Sequence, residues 1–268
     1  MNSTLQVIVD YYSAHPEVTA IALGGSHASR QADERSDNDV YLFTTAPVGH
    51  QTRRDLALRF DESPEIGNSW WGDDDAWSDG TAGYEVMYWD SADFEQGLRR
   101  VIEEHQPSLG YSTSFWFTMR NALPLYDRDD WLSRMKSLAE TPYPEELRRA
   151  IVDFNAPLLR RIHASYRHQI ALAVGRNDPV SVNHRIAALL ASVFDIVFAL
   201  SRTLHPGEKR QLAWIATLGE QVPATLDRRV RGLLAAACDT AGHEIMPAVD
   251  ALCGDIEGMI VEAGFPAR

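Results

Sequence analysis

The short apolar run Thr19 to Leu23 breaks into Gly24-Gly25-Ser26, and after a gap of ten residues Asp37-Asn38-Asp39 opens a second apolar run that reaches Thr45. No other part of the chain limits its fold as much. Both runs have strand length and both are closed by turn-forming residues, which predicts two buried strands. The glycines admit a turn whose backbone passes close to a neighbour or a ligand. Backbone N–H groups at such a turn, helped by the Ser26 hydroxyl, suit an anion such as phosphate. Asp37 and Asp39 stand two apart in an extended segment, so their side chains share one sheet face. Two carboxylates on one face suit Mg²⁺, a hard cation that takes oxygen ligands and substrate phosphates.

The surrounding pattern is mixed. Leu5, Ile8, Val9 and Tyr12 recur at helical spacing over residues 4–14, and Pro16 ends that helix. Residues 50–60 and 92–105 also read as helical, and Glu85 to Trp89 (EVMYW) reads as a third strand. Residues 61–83 hold tandem Trp70-Trp71, a run of aspartates and no Lys or Arg, a composition that predicts a loop. After residue 145 the period becomes helical throughout, over 146–174, 181–204, 208–219, 225–240 and 244–263. Tyr143-Pro144 is the expected seam. The expected fold is an α/β (α+β) domain with a small mixed sheet over residues 1–144, followed by an all-α helix-bundle domain over 145–268.

A third carboxylate is expected from a neighbouring strand. Glu85 ranks first, on the sheet face of Met87 and Trp89, followed by Asp90 at the strand's end and Asp79 in the preceding loop.

Gly-Gly-Ser, a gap of ten, then Asp-x-Asp and an apolar strand resembles the signature of the nucleotidyltransferase superfamily, the DNA polymerase β-like fold. Ser36 before Asp37 and Arg30 after the Ser-x-Ala-Ser step fit the same pattern. Glu85 as third carboxylate is similar to the aminoglycoside adenylyltransferases, where a glutamate at this place is the general base; elsewhere in the superfamily the residue is usually Asp. GYEVMYWD, GYSTSFWF at 110–117 and HPGEKR at 205–210 look like segments of bacterial nucleotidyltransferase-like proteins.

The resemblance implies transfer of a nucleoside monophosphate, AMP from ATP, to a hydroxyl of a small molecule such as an aminoglycoside-like antibiotic or another polyol amine. It implies one or two Mg²⁺ ions at Asp37, Asp39 and Glu85, with Glu85 either a metal ligand or the base. Gly24, Gly25, Ser26, Arg30, Ser36 and Lys209 would bind the nucleoside triphosphate. Lys209 is equally a surface residue at a helix start, and Arg30 equally a partner for Asp33 or Glu34. Asp73-Asp74-Asp75 with Trp70, Trp71 and Trp77 reads either as a recognition loop for a cationic substrate or as a solvated turn. Alternatives to small-molecule transfer are protein or RNA-end nucleotidylation in a toxin–antitoxin setting, and a non-catalytic nucleotide-binding module.

Composition sets the outer limits. Thirty-eight acidic against twenty-five basic residues, a formal net charge of −13, argues against gripping long nucleic acid. No run approaches about 18 consecutive apolar residues, so no membrane span is expected. The opening MNSTLQVIVDYYSAHPEV lacks the basic and apolar blocks of a signal peptide, and Cys238 and Cys253 are the only cysteines, which together predict a cytoplasmic protein. The sequence holds no GxxxxGK[ST] loop, no GxSxG elbow and no HExxH pair.

Overall fold

The computed structural model describes residues 3–28, 37–70, 72–238 and 244–266. The chain forms two compact units, one from residues 1–99 and 115–141, the other from 100–114 and 142–268. The segment 100–114, expected in the first domain, therefore belongs with the helical unit.

The first unit is α+β. A helix, α1 (Ser3–Ser13), leads into β1 (Val18–Leu23), a single turn of helix α2 (Gly25–Ala28) and β2 (Asn38–Thr44). Next come α3 (His50–Ala57), β3 (Glu65–Asn68), β4 (Asp73–Ser78), β5 (Gly83–Asp90) and α4 (Ser91–Ile102). The unit is completed by α5 (Ser114–Asn121), β6 (Leu123–Asp127) and α6 (Trp131–Ala139). The strands make one mixed sheet in the order β3-β4-β5-β2-β1-β6. Among the described residues only β2 and β5 run parallel; the other neighbouring pairs are antiparallel.

Alternation along the central strands decides what faces where. Val40 and Leu42 of β2, with Val86 and Tyr88 of β5, pack against Leu5, Ile8, Val9 and Tyr12 of α1. On the opposite face Tyr41 and Phe43 alternate with them, and Phe43 meets Trp89, Phe94 and Trp131 at ring-centroid distances of 5.6, 5.0 and 4.8 Å.

Residues 61–83 do not form the expected loop, because they contain the hairpin β3–β4. The aspartates that suggested a loop are held by partners remote in sequence. Asp75, 1% exposed, accepts from the Tyr88 hydroxyl at 2.7 Å and from Gly67 N–H at 2.8 Å. Asp73 receives both guanidinium nitrogens of the buried Arg53 of α3, at 2.6 and 2.5 Å. Trp77 is buried between Phe60 and Tyr84, stacked on them at 5.2 and 4.7 Å.

The second unit is helical: α7 (Glu145–Arg160), α8 (Tyr166–Gly175), α9 (Pro179–Leu200), α10 (Gln211–Ala216), α11 (Leu226–Ala237) and α12 (Ile245–Glu262). Residues 146–174 are two helices rather than one, since Ser165 caps a fresh start by accepting from His168 N–H at 3.4 Å. The central helix is α9, whose residues Ser192 to Leu200 are all buried. Asp178 caps it, accepting from Ser181 N–H at 3.0 Å, and Pro179 sits in its first turn where no N–H is needed. By length and composition α9 could cross a membrane, but two thirds of that stretch lies inside the unit. A buried carboxylate on α9, Asp195, ties in the segment 100–114, accepting from Ser112 N–H at 2.9 Å, Ser112 Oγ at 2.6 Å and Asn155 Nδ2 at 3.2 Å.

Candidate active site

Strand register assembles the site. β2 and β5 pair in parallel with Asp39 opposite Glu85, so the two carboxylates project from the same face on adjacent strands. Asp37 lies one step before β2, and its position is marked by Gly83 at the start of β5. A Cβ placed on Gly83 would fall 2.2 Å from Asp37 Oδ1. Asp37 is exposed, while Asp39 and Glu85 are half-buried.

The glycine turn meets these carboxylates from the other side. β1 runs antiparallel to β2, so its last residues lie beside the first residues of β2. Gly24 N–H donates to the Asp39 carbonyl at 2.8 Å, extending the ladder into the turn. Gly25 then adopts φ +57°, a left-handed conformation that glycine takes without strain. A Cβ there would lie 1.6 Å from Asp39 Oδ2. A Cβ on Gly24 would lie 1.9 Å from Tyr41 Cε2, and Gly25 N–H donates to the Tyr41 hydroxyl at 3.1 Å. Both glycine N–H groups are thus committed within the protein. The missing side chains make room for the Tyr41 ring and the Asp39 carboxylate, so these glycines let the turn pack directly on β2. Burial, and beyond it the charges of Asp39 and Glu85, push the Tyr41 phenol up to about 12.

Gly24, Gly25, Asp37, Asp39 and Glu85 are therefore brought together at one end of the β2/β5 pair. The rival third carboxylates have other work. Asp90 accepts from Ala92 and Asp93 N–H at 2.8 and 2.9 Å and so caps α4. Asp79 organises its own turn, accepting from Thr81 N–H and Ala82 N–H at 2.9 Å each, and from Thr4 Oγ1 at 2.8 Å. Hydrogen bonding, that from Thr81 foremost, holds Asp79 well below the ordinary carboxylate range. The recognition loop is also revised: Asp73, Asp75 and Trp77 are structural, Trp70 is 83% exposed, and Trp71 lies outside the described residues.

Ser26 lies in α2, while Arg30 and Ser36 lie outside the described residues. Lys209 is in the second unit, exposed in the turn before α10, and is not among the residues the sheet brings together. Sequence reading missed Tyr41 and Gly83. Tyr41 follows Asp39 by two, so strand alternation alone puts it on the carboxylate face.

Among the described residues no group of three or more His, Cys, Asp and Glu side chains stands ready to hold a metal ion. The oxygen donors of Asp37 and Asp39 nevertheless fit Mg²⁺, which is commonly held by one or two carboxylates together with substrate phosphates rather than by an all-protein cage.

No family model matches the chain, and no curated protein matches it. Among solved structures the chain is similar to a nucleotidyltransferase-like protein from Exiguobacterium sibiricum, at 11% identity and a TM-score of 0.48, covering 97% of this chain and 77% of that one.

Proposed function

We propose that this protein is a Mg²⁺-dependent nucleotidyltransferase that moves AMP from ATP to a hydroxyl of a small molecule. The observation that carries the reading is the register that sets Asp39 opposite Glu85, with Asp37 over Gly83 and the Gly24-Gly25 turn alongside. Asp37 and Asp39 would hold Mg²⁺, which when bound supplies positive charge against the triphosphate. The glycine turn packs directly on Tyr41 and Asp39, which keeps it beside the carboxylates that the triphosphate would have to reach. Glu85 takes the proton of the acceptor hydroxyl as its oxygen bonds to the α-phosphorus and the bond to pyrophosphate breaks. Rate then comes chiefly from holding the two substrates in line. The net charge of −13 favours a cationic acceptor, which supports a polyol amine.

Calorimetric titration of each nucleoside triphosphate with Mg²⁺, on wild type and on the double variant Asp37→Asn/Asp39→Asn, tests the proposal. Binding that needs both the metal and the carboxylates is expected. Binding indifferent to the double variant would remove the site, and metal-dependent binding without turnover on any hydroxyl acceptor would make the protein a nucleotide-binding module.

A further inference from the structure

Tyr41 lies two residues past Asp39 on the same strand face and is only 6% exposed. Its ring lies flat on Trp89, with centroids 4.9 Å apart and planes 18° apart. Trp89 lies in turn on Phe94, at 4.8 Å and 13°. This three-ring stack fixes the Tyr41 ring, so its hydroxyl is a stationary group. The ring fills the space that a side chain on Gly24 would need, and the hydroxyl receives Gly25 N–H at 3.1 Å. Gly25 in turn has Asp39 Oδ2 where its own Cβ would be. Stack, phenol, glycine turn and carboxylate therefore form one continuous chain of contacts. Phenylalanine would fill the same volume and keep the stack. Among the described residues, what the hydroxyl adds is an acceptor for the N–H of a left-handed glycine.

We infer that Tyr41 is a positioning residue of the site, its hydroxyl holding the Gly25 turn in register with Asp39. The glycine turn and the carboxylates that a metal-bound triphosphate must reach together are then fixed relative to one another before it arrives. The ligand half of this inference rests on the nucleotidyltransferase reading; the contact chain does not.

The test is Tyr41→Phe, read in two ways on the full-length protein. Amide exchange measured residue by residue should rise at least tenfold at Gly25, while Val40 and Leu42 in β2 exchange at wild-type rates. The Kd for ATP with Mg²⁺ should rise about tenfold, the equivalent of about 1.4 kcal/mol. A purely packing role predicts no selective change at Gly25, since the ring is retained. Unchanged exchange at Gly25 overturns the inference, as does unchanged affinity in a wild type that binds. A wild type that binds no ATP with Mg²⁺ in any condition would instead overturn the nucleotidyltransferase reading.

Discussion

Gly25→Ala is the substitution that most directly tests the geometry of the site. Two costs are expected. Holding alanine at φ +57° costs about 1–2 kcal/mol, because a Cβ in the left-handed region crowds the following carbonyl. The new methyl would also stand 1.6 Å from Asp39 Oδ2 and 2.4 Å from Asp39 Cγ, so the carboxylate must move. Forcing extra volume into a packed place costs about 1–3 kcal/mol. The total is about 2–5 kcal/mol. Gly80→Ala is the control: its φ is +84° and nothing lies within 4 Å of the added Cβ, so only the conformational cost applies. Six of the seven tryptophans belong to the first unit, so fluorescence during urea unfolding reports chiefly on it. Repeating Gly25→Ala in an Asp39→Gly background, which removes the side chain it would strike, should reduce its cost to about that of Gly80→Ala, leaving about 1–3 kcal/mol of coupling. Equal penalties in both backgrounds would mean that Asp39 does not occupy the space over Gly25.

Three further outcomes follow from the same structure. Asp195 is pushed up to about 6 from 3.8, chiefly by burial, so its ionised form is disfavoured in the folded state. With both states protonated below pH 4 it has no effect; stability should then fall by about 3 kcal/mol as pH rises through 6, and the difference between wild type and Asp195→Asn in pH-dependent unfolding should show that slope. Arg53→Ala strands the buried carboxylate of Asp75 and should cost about 3–5 kcal/mol at neutral pH, with a smaller loss in acid where Asp75 is protonated, as unfolding curves at pH 7 and pH 4 would show. Asp90→Ala should lose about 1 kcal/mol of stability as a helix cap yet bind ATP with Mg²⁺ as wild type does; a loss of binding would reopen Asp90 as the third carboxylate.

What could be read from the sequence is what local pattern encodes. The strands β1, β2 and β5 and the helix α1 follow from apolar period, and Asp37 and Asp39 fall on one face by alternation. The hairpin β3–β4 escaped because Asp and Gly are poor strand formers, and because the partner that makes Asp73 and Asp75 tolerable is Arg53, twenty or more positions away. β6 carries Pro124, which an edge strand can accept and a composition reading takes as a break. The break between α7 and α8 is hidden because apolar spacing continues through Ile162. At the site, the residue types were legible and their assembly was not. Pairing Asp39 with Glu85 is a matter of register between strands 46 positions apart, which nothing local specifies. That Asp90 and Asp79 accept from backbone N–H groups is likewise a matter of folded geometry.

The interleaving of the two units bears on how the chain is made. Ser112 is synthesised long before Asp195, its buried hydrogen-bond acceptor 83 positions later. At ribosomal speeds of about 5–20 residues per second that interval is roughly 4–17 s, during which the segment 100–114 has no helix bundle to join. The same segment runs from the end of α4 to the start of α5, so the sheet unit also waits, its last helices emerging only after the strip that belongs elsewhere. No single cut releases both units whole. Cleavage after residue 99 leaves the first unit without 115–141, and cleavage after residue 141 leaves the second without 100–114, so the fragment left short should be cleared by cellular quality control rather than survive as a free-standing domain.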